Sequence, residues 1–196
     1  MSASFPNTAS GSLVPETFTW AETLNEFNVT HNEFTSKTQT HFGRVAVGAV
    51  VFNTEGKVLL VQRAAKDTFP NLWEIPGGMV DIKDKTILHG VVRELMEESG
   101  LRATHIRGLA GCEDLGKLRN GKSAVKYSFI VEVDGFDVKI DREEHQKFIW
   151  ATEQDVKGSR CGDVQIDFTK ESLCNLVLNT FRKCESGGWS QKEAEH

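Results

Sequence analysis

The sequence predicts an α/β fold whose β-sheet is covered on both faces by helices. Three observations lead there. Residues 45–52 and 58–61 are apolar at nearly every position. Leu88, Val91, Val92 and Leu95, and later Leu173, Leu176, Val177, Phe181 and Cys184, recur at helical spacing. An Asn120-Gly121 pair separates two strand-like segments. A sheet with one wet face alternates apolar and polar residues along each strand, and these runs do not alternate, so both faces need cover and helices supply it.

Residues 1–43 are rich in Ser, Thr and Asn and carry isolated rings at Phe5, Phe18, Trp20, Phe27, Phe34 and Phe42. Such a segment does not build its own core, and few solvated linkers hold so many rings. It is expected to be an arm lying on the main domain or on a second copy in a homodimer. Residues 45–52 form the first strand of that domain, a turn follows at Asn53, Thr54, Glu55 and Gly56, and residues 58–61 form a second strand in the same sheet. Residues 64–76 read as a connection anchored by Phe69 and Trp73, both expected in the core rather than stacked on a ligand. Residues 86–99 form a helix that Gly100 closes as a left-handed cap. Segments 105–115 and 123–133 make a hairpin around Asn120-Gly121. Phe148, Ile149 and Trp150 form a short strand running into a helical turn begun by Thr152, with Glu153 and Asp155 in its first turn. A last helix spans 169–184 and residues 185–196 read as a polar tail, which leaves 44–184 as the main domain.

A chain of 196 residues is expected to have one core, and an apolar content of 39% excludes disorder throughout. The balance of 23 Lys and Arg against 28 Asp and Glu gives a net charge of −5, so no broad cationic face for duplex nucleic acid or an anionic membrane is implied. No stretch approaches the ~20 apolar residues of a membrane span, and no basic, apolar leader opens the chain. Cys112, Cys161, Cys174 and Cys184 show no paired spacing. A cytoplasmic or nuclear location is the expectation.

The chemistry concentrates in Arg93-Glu94-Leu95-Met96-Glu97-Glu98-Ser99-Gly100. At 100° per residue, Glu94, Glu97 and Glu98 share one arc of the helix, next to the arc of Leu88, Val91, Val92 and Leu95. Like charges at i,i+4 cost about 0.2–0.5 kcal/mol per pair, and the macrodipole disfavours anions near a helix C-terminus. The placement works against stability. A hard divalent cation reverses the sign, since Mg²⁺ takes carboxylate and carbonyl oxygens and keeps positions for water and phosphate. Upstream, Pro76-Gly77-Gly78 supplies a sharp turn with exposed carbonyls, and Arg93 can fork a carboxylate or a phosphate oxygen. A solvated acidic face is the alternative for such a cluster taken alone.

These residues resemble the Nudix hydrolases. Their box runs Gly, five residues, Glu, seven residues, Arg-Glu, an aliphatic residue, any residue, Glu-Glu, any residue, Gly, and an aliphatic residue. Gly78 opens it here, and residues 93–101 match its second half at every fixed position. The run Val-Leu-Leu-Val-Gln-Arg at 58–63, the approach Trp73-Glu74-Ile75-Pro76-Gly77-Gly78 and the strand at Phe148 are similar to the family's surroundings, so the resemblance covers roughly residues 45–160. Two departures lie in the first half: Asp84 stands where the isolated Glu belongs, and eight residues separate it from Arg93. The unbroken apolar phase into Arg93 places the extra residue in the loop around Ile82 to Thr86, and leaves Asp84, Asp81 or neither to do the outer work of that Glu.

The resemblance implies a Nudix-type α/β/α sandwich with a mixed β-sheet between helices, and hydrolysis of a diphosphate linkage in a nucleoside diphosphate joined to another group. It implies Mg²⁺, or Mn²⁺, held by Glu94 and Glu98, with Glu97 sharing a metal or acting on its water and the carbonyl of Gly78 or Gly77 completing the shell. Which Glu is the general base stays open. Beyond the box, Glu143 or Glu144 are candidates for a further acid and Arg63 for a phosphate contact, with a surface ion pair as its alternative. His89 and His145 are expected at the surface without a role. The proline, tyrosine and Pro-Lys-Gly-Gly signatures of ADP-ribose, diadenosine polyphosphate and diphosphoinositol enzymes are missing. Those absences lower the odds of such substrates without excluding them, and a modified or ordinary nucleoside triphosphate, or a small nucleotide conjugate, is the leading expectation. Two other readings were weighed: a non-catalytic nucleotide-binding module, opposed by the three retained carboxylates, and an isomerase, suggested only by residues 66–73.

Overall fold

The computed structural model describes residues 17–37, 43–118 and 120–186. The expectations for Phe5, Phe42 and the end of the polar tail fall outside the described residues. In chain order the elements are β1 (Thr19–Trp20), a 3-10 turn (Glu22–Phe27), α1 (His31–Lys37), β2 (Arg44–Val50), β3 (Val58–Arg63), β4 (Trp73–Glu74), α2 (Ile87–Ser99), β5 (Ala103–Lys117), β6 (Ser123–Val133), β7 (His145–Ala151), α3 (Glu153–Lys157), β8 (Arg160–Cys161), β9 (Val164–Gln165) and α4 (Glu171–Ser186).

A mixed sheet runs in the order β1-β5-β6-β2. β5 and β6 are the predicted hairpin, antiparallel around Gly121, whose φ of 78° is the left-handed conformation the Asn-Gly pair supplies. β2 lies parallel to β6, from Arg44 opposite Ala124 to Val50 opposite Ile130, and β1 lies parallel to β5. A second, antiparallel sheet runs β4-β3-β7. The expectation that β2 and β3 share one sheet is thus corrected. They meet only beside their turn, through a bridge between Phe52 and Val58 and the Leu59 N–H on the Val51 carbonyl. The reason lies at the edges of β2. One is filled by β6, and the other by residues 76–80, whose backbone pairs with it through Val47 N–H to Gly78 O, Ala49 N–H to Pro76 O and Val80 N–H to Val45 O. No edge remains for β3.

Strand alternation then sorts side chains into two cores. Val45, Val47 and Ala49 of β2, with Val125, Phe129 and Val131 of β6, face Leu88, Val91, Val92 and Leu95 of α2. On the opposite side Val50 and Ile130 join Leu60, Trp73, Ile75, Val156 and the α4 stripe of Leu173, Val177 and Phe181. Helices therefore cover both sides, as the unalternating runs required. α2 begins at Thr86, whose hydroxyl accepts from His89 N–H, and ends at Gly100 in the left-handed conformation with φ 70°. α3 carries a capping box in which Thr152 accepts from Asp155 N–H while the Asp155 carboxylate accepts from Thr152 N–H. No helix among the described residues is long and apolar enough to cross a membrane.

Residues 17–37 contribute to the core beneath α2. Leu24, Phe27 and Phe34 are buried there, and the Phe27 ring stacks on Phe34 at 5.4 Å and meets Phe129 edge-on at 5.0 Å. Truncating Phe27 to Ala is expected to lower stability by about 3–5 kcal/mol, the scale of emptying a buried phenylalanine site. Urea unfolding measures this, and a loss under about 1 kcal/mol would mean that the ring is not core.

Candidate active site

The segment at 76–80 owes its path to glycine. At Gly77, with φ 153°, an added Cβ would lie 2.2 Å from the Val47 carbonyl, so only glycine lets this bend hug β2. At Gly78 an added Cβ would lie 2.7 Å from a Glu94 carboxylate oxygen. The bend therefore packs directly on the acidic turns of α2. Gly77 N–H donates to Glu98 Oε2 at 2.6 Å. The Gly78 carbonyl, expected to face an ion, already accepts from Val47 N–H at 2.8 Å and has one lone pair left.

Arg93 organises the other side. Its Nε and Nη2 fork Asp84 at 2.8 and 2.9 Å, Nη2 also donates to the Met79 carbonyl, and Nη1 reaches Glu97 at 2.8 Å and Glu94 at 2.9 Å. Every donor is committed within the protein, and the carboxylate fork anticipated for this guanidinium is found at Asp84. The Arg93 pKa is raised further by the Asp84 hydrogen bonds, against burial. Asp81 and Asp84 are placed differently: Asp84 takes Arg93 and also accepts from Asp81 N–H, while Asp81 stays exposed and accepts from Lys83 N–H.

A cavity of about 570 Å³ opens over this junction. Gly78, Arg93, Glu94, Glu97, Glu98, Arg63 and Glu144 all line it, so the structure brings the anticipated site residues together. Glu143 is not among them. Arg63 is committed elsewhere, to Glu74 at 2.5 Å, to the Thr68 carbonyl and to Asp67, so the ion pair prevails over the anticipated phosphate contact. Trp73 is core as expected, fully buried with its indole N–H on the Gln165 carbonyl. Phe69 is not. It is 53% exposed, has φ 59°, and stands at the cavity rim.

The charges are unevenly compensated. Burial holds the Glu98 carboxyl well above its ordinary pKa, with Glu74 and Glu94 adding repulsion against the Gly77 N–H and the Lys126 charge. Burial also raises Glu94, where Arg93 opposes and Glu97 and Glu144 reinforce. Glu74 goes the other way: burial pushes it up, but the His145 hydrogen bond and the charges of Lys126 and Arg63 outweigh it and leave its pKa below the usual value.

Glu74, His145 and Lys126 escaped the sequence reading. His145, expected at the surface, is 1% exposed, with Nε2 3.3 Å from Glu74 Oε1 and Nδ1 buried without a partner. It starts β7 opposite Arg63, and one histidine in a polar stretch gives no sign of such a pairing. His89 is half-buried against Phe18. Lys126 carried a findable signal, a cation set between Val125 and Tyr127 in a strand-forming run.

The far end of the cavity is made by β5 and α4. Leu115, Leu173 and Leu176 line it, and Glu113 fastens the start of α4 by accepting from Ser172 Oγ at 2.6 Å and Lys170 Nζ at 3.0 Å. One pocket thus joins an acidic, glycine-bounded end to an apolar end.

Known proteins are similar to this chain. The family model of the NUDIX domain matches residues 43–167. The CTP pyrophosphohydrolase of Escherichia coli (strain K12) is 30% identical over 111 residues, 57% of this chain and 78% of that protein. An RNA pyrophosphohydrolase of Psychrobacter sp. (strain PRwf-1) is 33% identical over 84 residues, 43% of this chain and 46% of its own. In the same fold, the crystal structure of a MutT protein from Methanosarcina mazei Go1 superposes with a TM-score of 0.55 at 24% identity, covering 74% of this chain and 94% of that one. The domain match spans the box at Gly78 and residues 93–101, and the chain belongs to the Nudix hydrolases, as an enzyme of the pyrophosphohydrolase class.

Proposed function

We propose that this protein is a Mg²⁺-dependent hydrolase that cleaves the diphosphate linkage of a nucleoside triphosphate or small nucleotide conjugate. One observation carries the reading: Glu94, Glu97 and Glu98 converge with the Gly77-Gly78 bend at one end of a single cavity whose other end is apolar. The E. coli relative, named for CTP, supports a nucleotide with a short phosphate chain.

The residues fit a divalent ion. Glu98 is buried, with no ion-pair partner among the described residues, and Gly78 leaves open the space that Glu94 fills. Among the described residues no three Asp, Glu, His or Cys side chains already form a cage, and Mg²⁺ does not need one, because it usually retains waters and substrate phosphate oxygens beside one or two carboxylates. Glu94 and Glu98 are the ligands in this reading, with Glu97 and the Gly78 carbonyl beside them. When bound, the ion lowers the pKa of water and neutralises phosphate charge.

The chain's own contribution is positional and electrostatic. The oxygen of a water forms a bond to phosphorus, the bridging P–O bond breaks, and its electron pair leaves with the departing phosphate. The proton released by the water goes to the carboxylate set and not to one assigned side chain. Arg93 holds the set in register, and Leu115, Leu173 and Leu176 give the nucleoside an apolar seat away from the reacting bond.

Glu98→Gln keeps shape and loses charge, so kcat is expected to fall by about 10²–10³ or more in steady-state assays with the fold intact. Near-normal turnover would refute the assignment. Because the folded pKa of Glu98 is raised, its ionisation costs stability, absent below the ordinary glutamate range and growing as pH climbs towards the raised value. In metal-free buffer the Tm of the wild type should therefore fall relative to Glu98→Gln as pH rises above the ordinary glutamate range. Chelation should abolish turnover and added Mg²⁺ or Mn²⁺ restore it. Phosphate release across nucleoside triphosphates, dinucleotides, nucleotide sugars, ADP-ribose and diphosphoinositols identifies the substrate, and a flat response would favour a binding module.

A further inference from the structure

Four cations line the cavity: Arg63, Arg93, Lys126 and Lys170. Three are spent on carboxylates. Arg63 holds Glu74, Arg93 holds Asp84, and Lys170 holds Glu113, each at 3.0 Å or closer. Among the described residues Lys126 is the lining cation with no carboxylate at ion-pairing distance, although its charge is felt by both Glu74 and Glu98.

Its position follows from sheet register. Met79 bridges Ala46, Ala46 pairs with Lys126, and Lys126 pairs with Glu113, which makes one cross-strand row along the cavity floor. The row starts at the glycine bend beside the carboxylates and ends at the residue that fastens α4 over the apolar end. With strands spaced about 4.8 Å apart, the Lys126 backbone stands about 10 Å from the bend strand and about 5 Å from the Glu113 strand, between the two ends of the row. Next to it, Gly48 makes room. A Cβ there would lie 2.9 Å from Lys126 Cε and 3.1 Å from Ser128 Oγ, so the bare backbone of β2 forms the trough in which the lysine stem lies.

We propose that Lys126 anchors the substrate's phosphate chain: its ammonium, held in the Gly48 trough, binds a non-bridging diphosphate oxygen between the carboxylate end and the apolar end of the cavity. This rests on the reading of the site as one for diphosphates. An ammonium on the floor between the two ends selects ligands whose anionic group lies between a nucleoside and the acidic end. It also offsets the repulsion between an incoming phosphate and the three glutamates.

The test is a binding measurement that does not need turnover. Calorimetry with Mg²⁺ and methylenediphosphonate, a non-hydrolysable diphosphate, compares wild type, Lys126→Met and Lys126→Arg. Affinity is expected to fall at least tenfold in Lys126→Met and to stay within about threefold in Lys126→Arg. In hydrolysis, Lys126→Met should raise KM at least tenfold and leave kcat within about threefold. Because Lys126 also faces Glu98, the comparison is repeated in Glu98→Gln, where that counter-charge is not needed; the same affinity loss there assigns the effect to the ligand and also covers poor folding of the single variant. An affinity within twofold of wild type overturns the proposal. So does a fall in kcat with KM and affinity unchanged, which would make Lys126 a counter-ion for Glu98, and so does a wild type that does not bind the diphosphonate. A wild type that binds it in a Lys126-dependent way yet cleaves nothing across the substrate panel would refute hydrolysis and leave the anchor standing.

Discussion

The arrangement turns on Arg93. A single guanidinium forks Asp84, caps the Met79 carbonyl and reaches both Glu94 and Glu97, so it joins the loop after the glycine bend to the acidic turns of α2. Three glutamates on two turns of one helix repel one another and face an unfavourable dipole. Without a cation built into the framework they would splay into solvent. Arg93 restrains two of them, and the Gly77 N–H restrains Glu98. Because all five of its donors are occupied, it does this without competing for substrate. The substitution of Asp for the family's isolated Glu is accommodated by the same residue: the added loop residue lets the shorter side chain meet the fork.

A second constraint comes from strand alternation across β2 and β6. The residues that pack under α2 and those that floor the cavity alternate along the same two strands. Val45, Val47 and Ala49 point one way, and Ala46 and Gly48 point the other. A slip of one residue would bury Lys126 in the aromatic core and put valines under the substrate. The parallel pairing over seven residues and the bend along the opposite edge of β2 hold the register.

Much of this was legible from the chain alone, for local reasons. The helix from Ile87 to Ser99, its Thr86 and Gly100 ends, the Asn120-Gly121 turn and the Thr152 cap follow from rules acting over four or five residues. The box residues share one helix, so their spacing alone predicts their common face. What failed was non-local. Whether β3 pairs with β2 depends on which segment occupies each edge, and residues 76–80 carry no strand pattern to announce that they take one. His145 is buried because Glu74, 71 residues earlier, needs a partner. Phe69 is held out at the rim by a left-handed backbone that its own side chain does not favour. Arg63 and Arg93 were each given two uses, and the carboxylates that each one meets are brought near it only by the fold.

The pairing of β1 with β5 and of β2 with β6 joins residues separated by about eighty positions, and the Phe27 ring waits a hundred residues for Phe129. As the chain leaves the ribosome, its most apolar strand, β2, emerges about eighty residues before β6, the partner along one of its edges. The nascent polypeptide must therefore be shielded or kept dilute until the second half arrives, and the glutamates, translated between the two halves, acquire their geometry only when synthesis has passed β6.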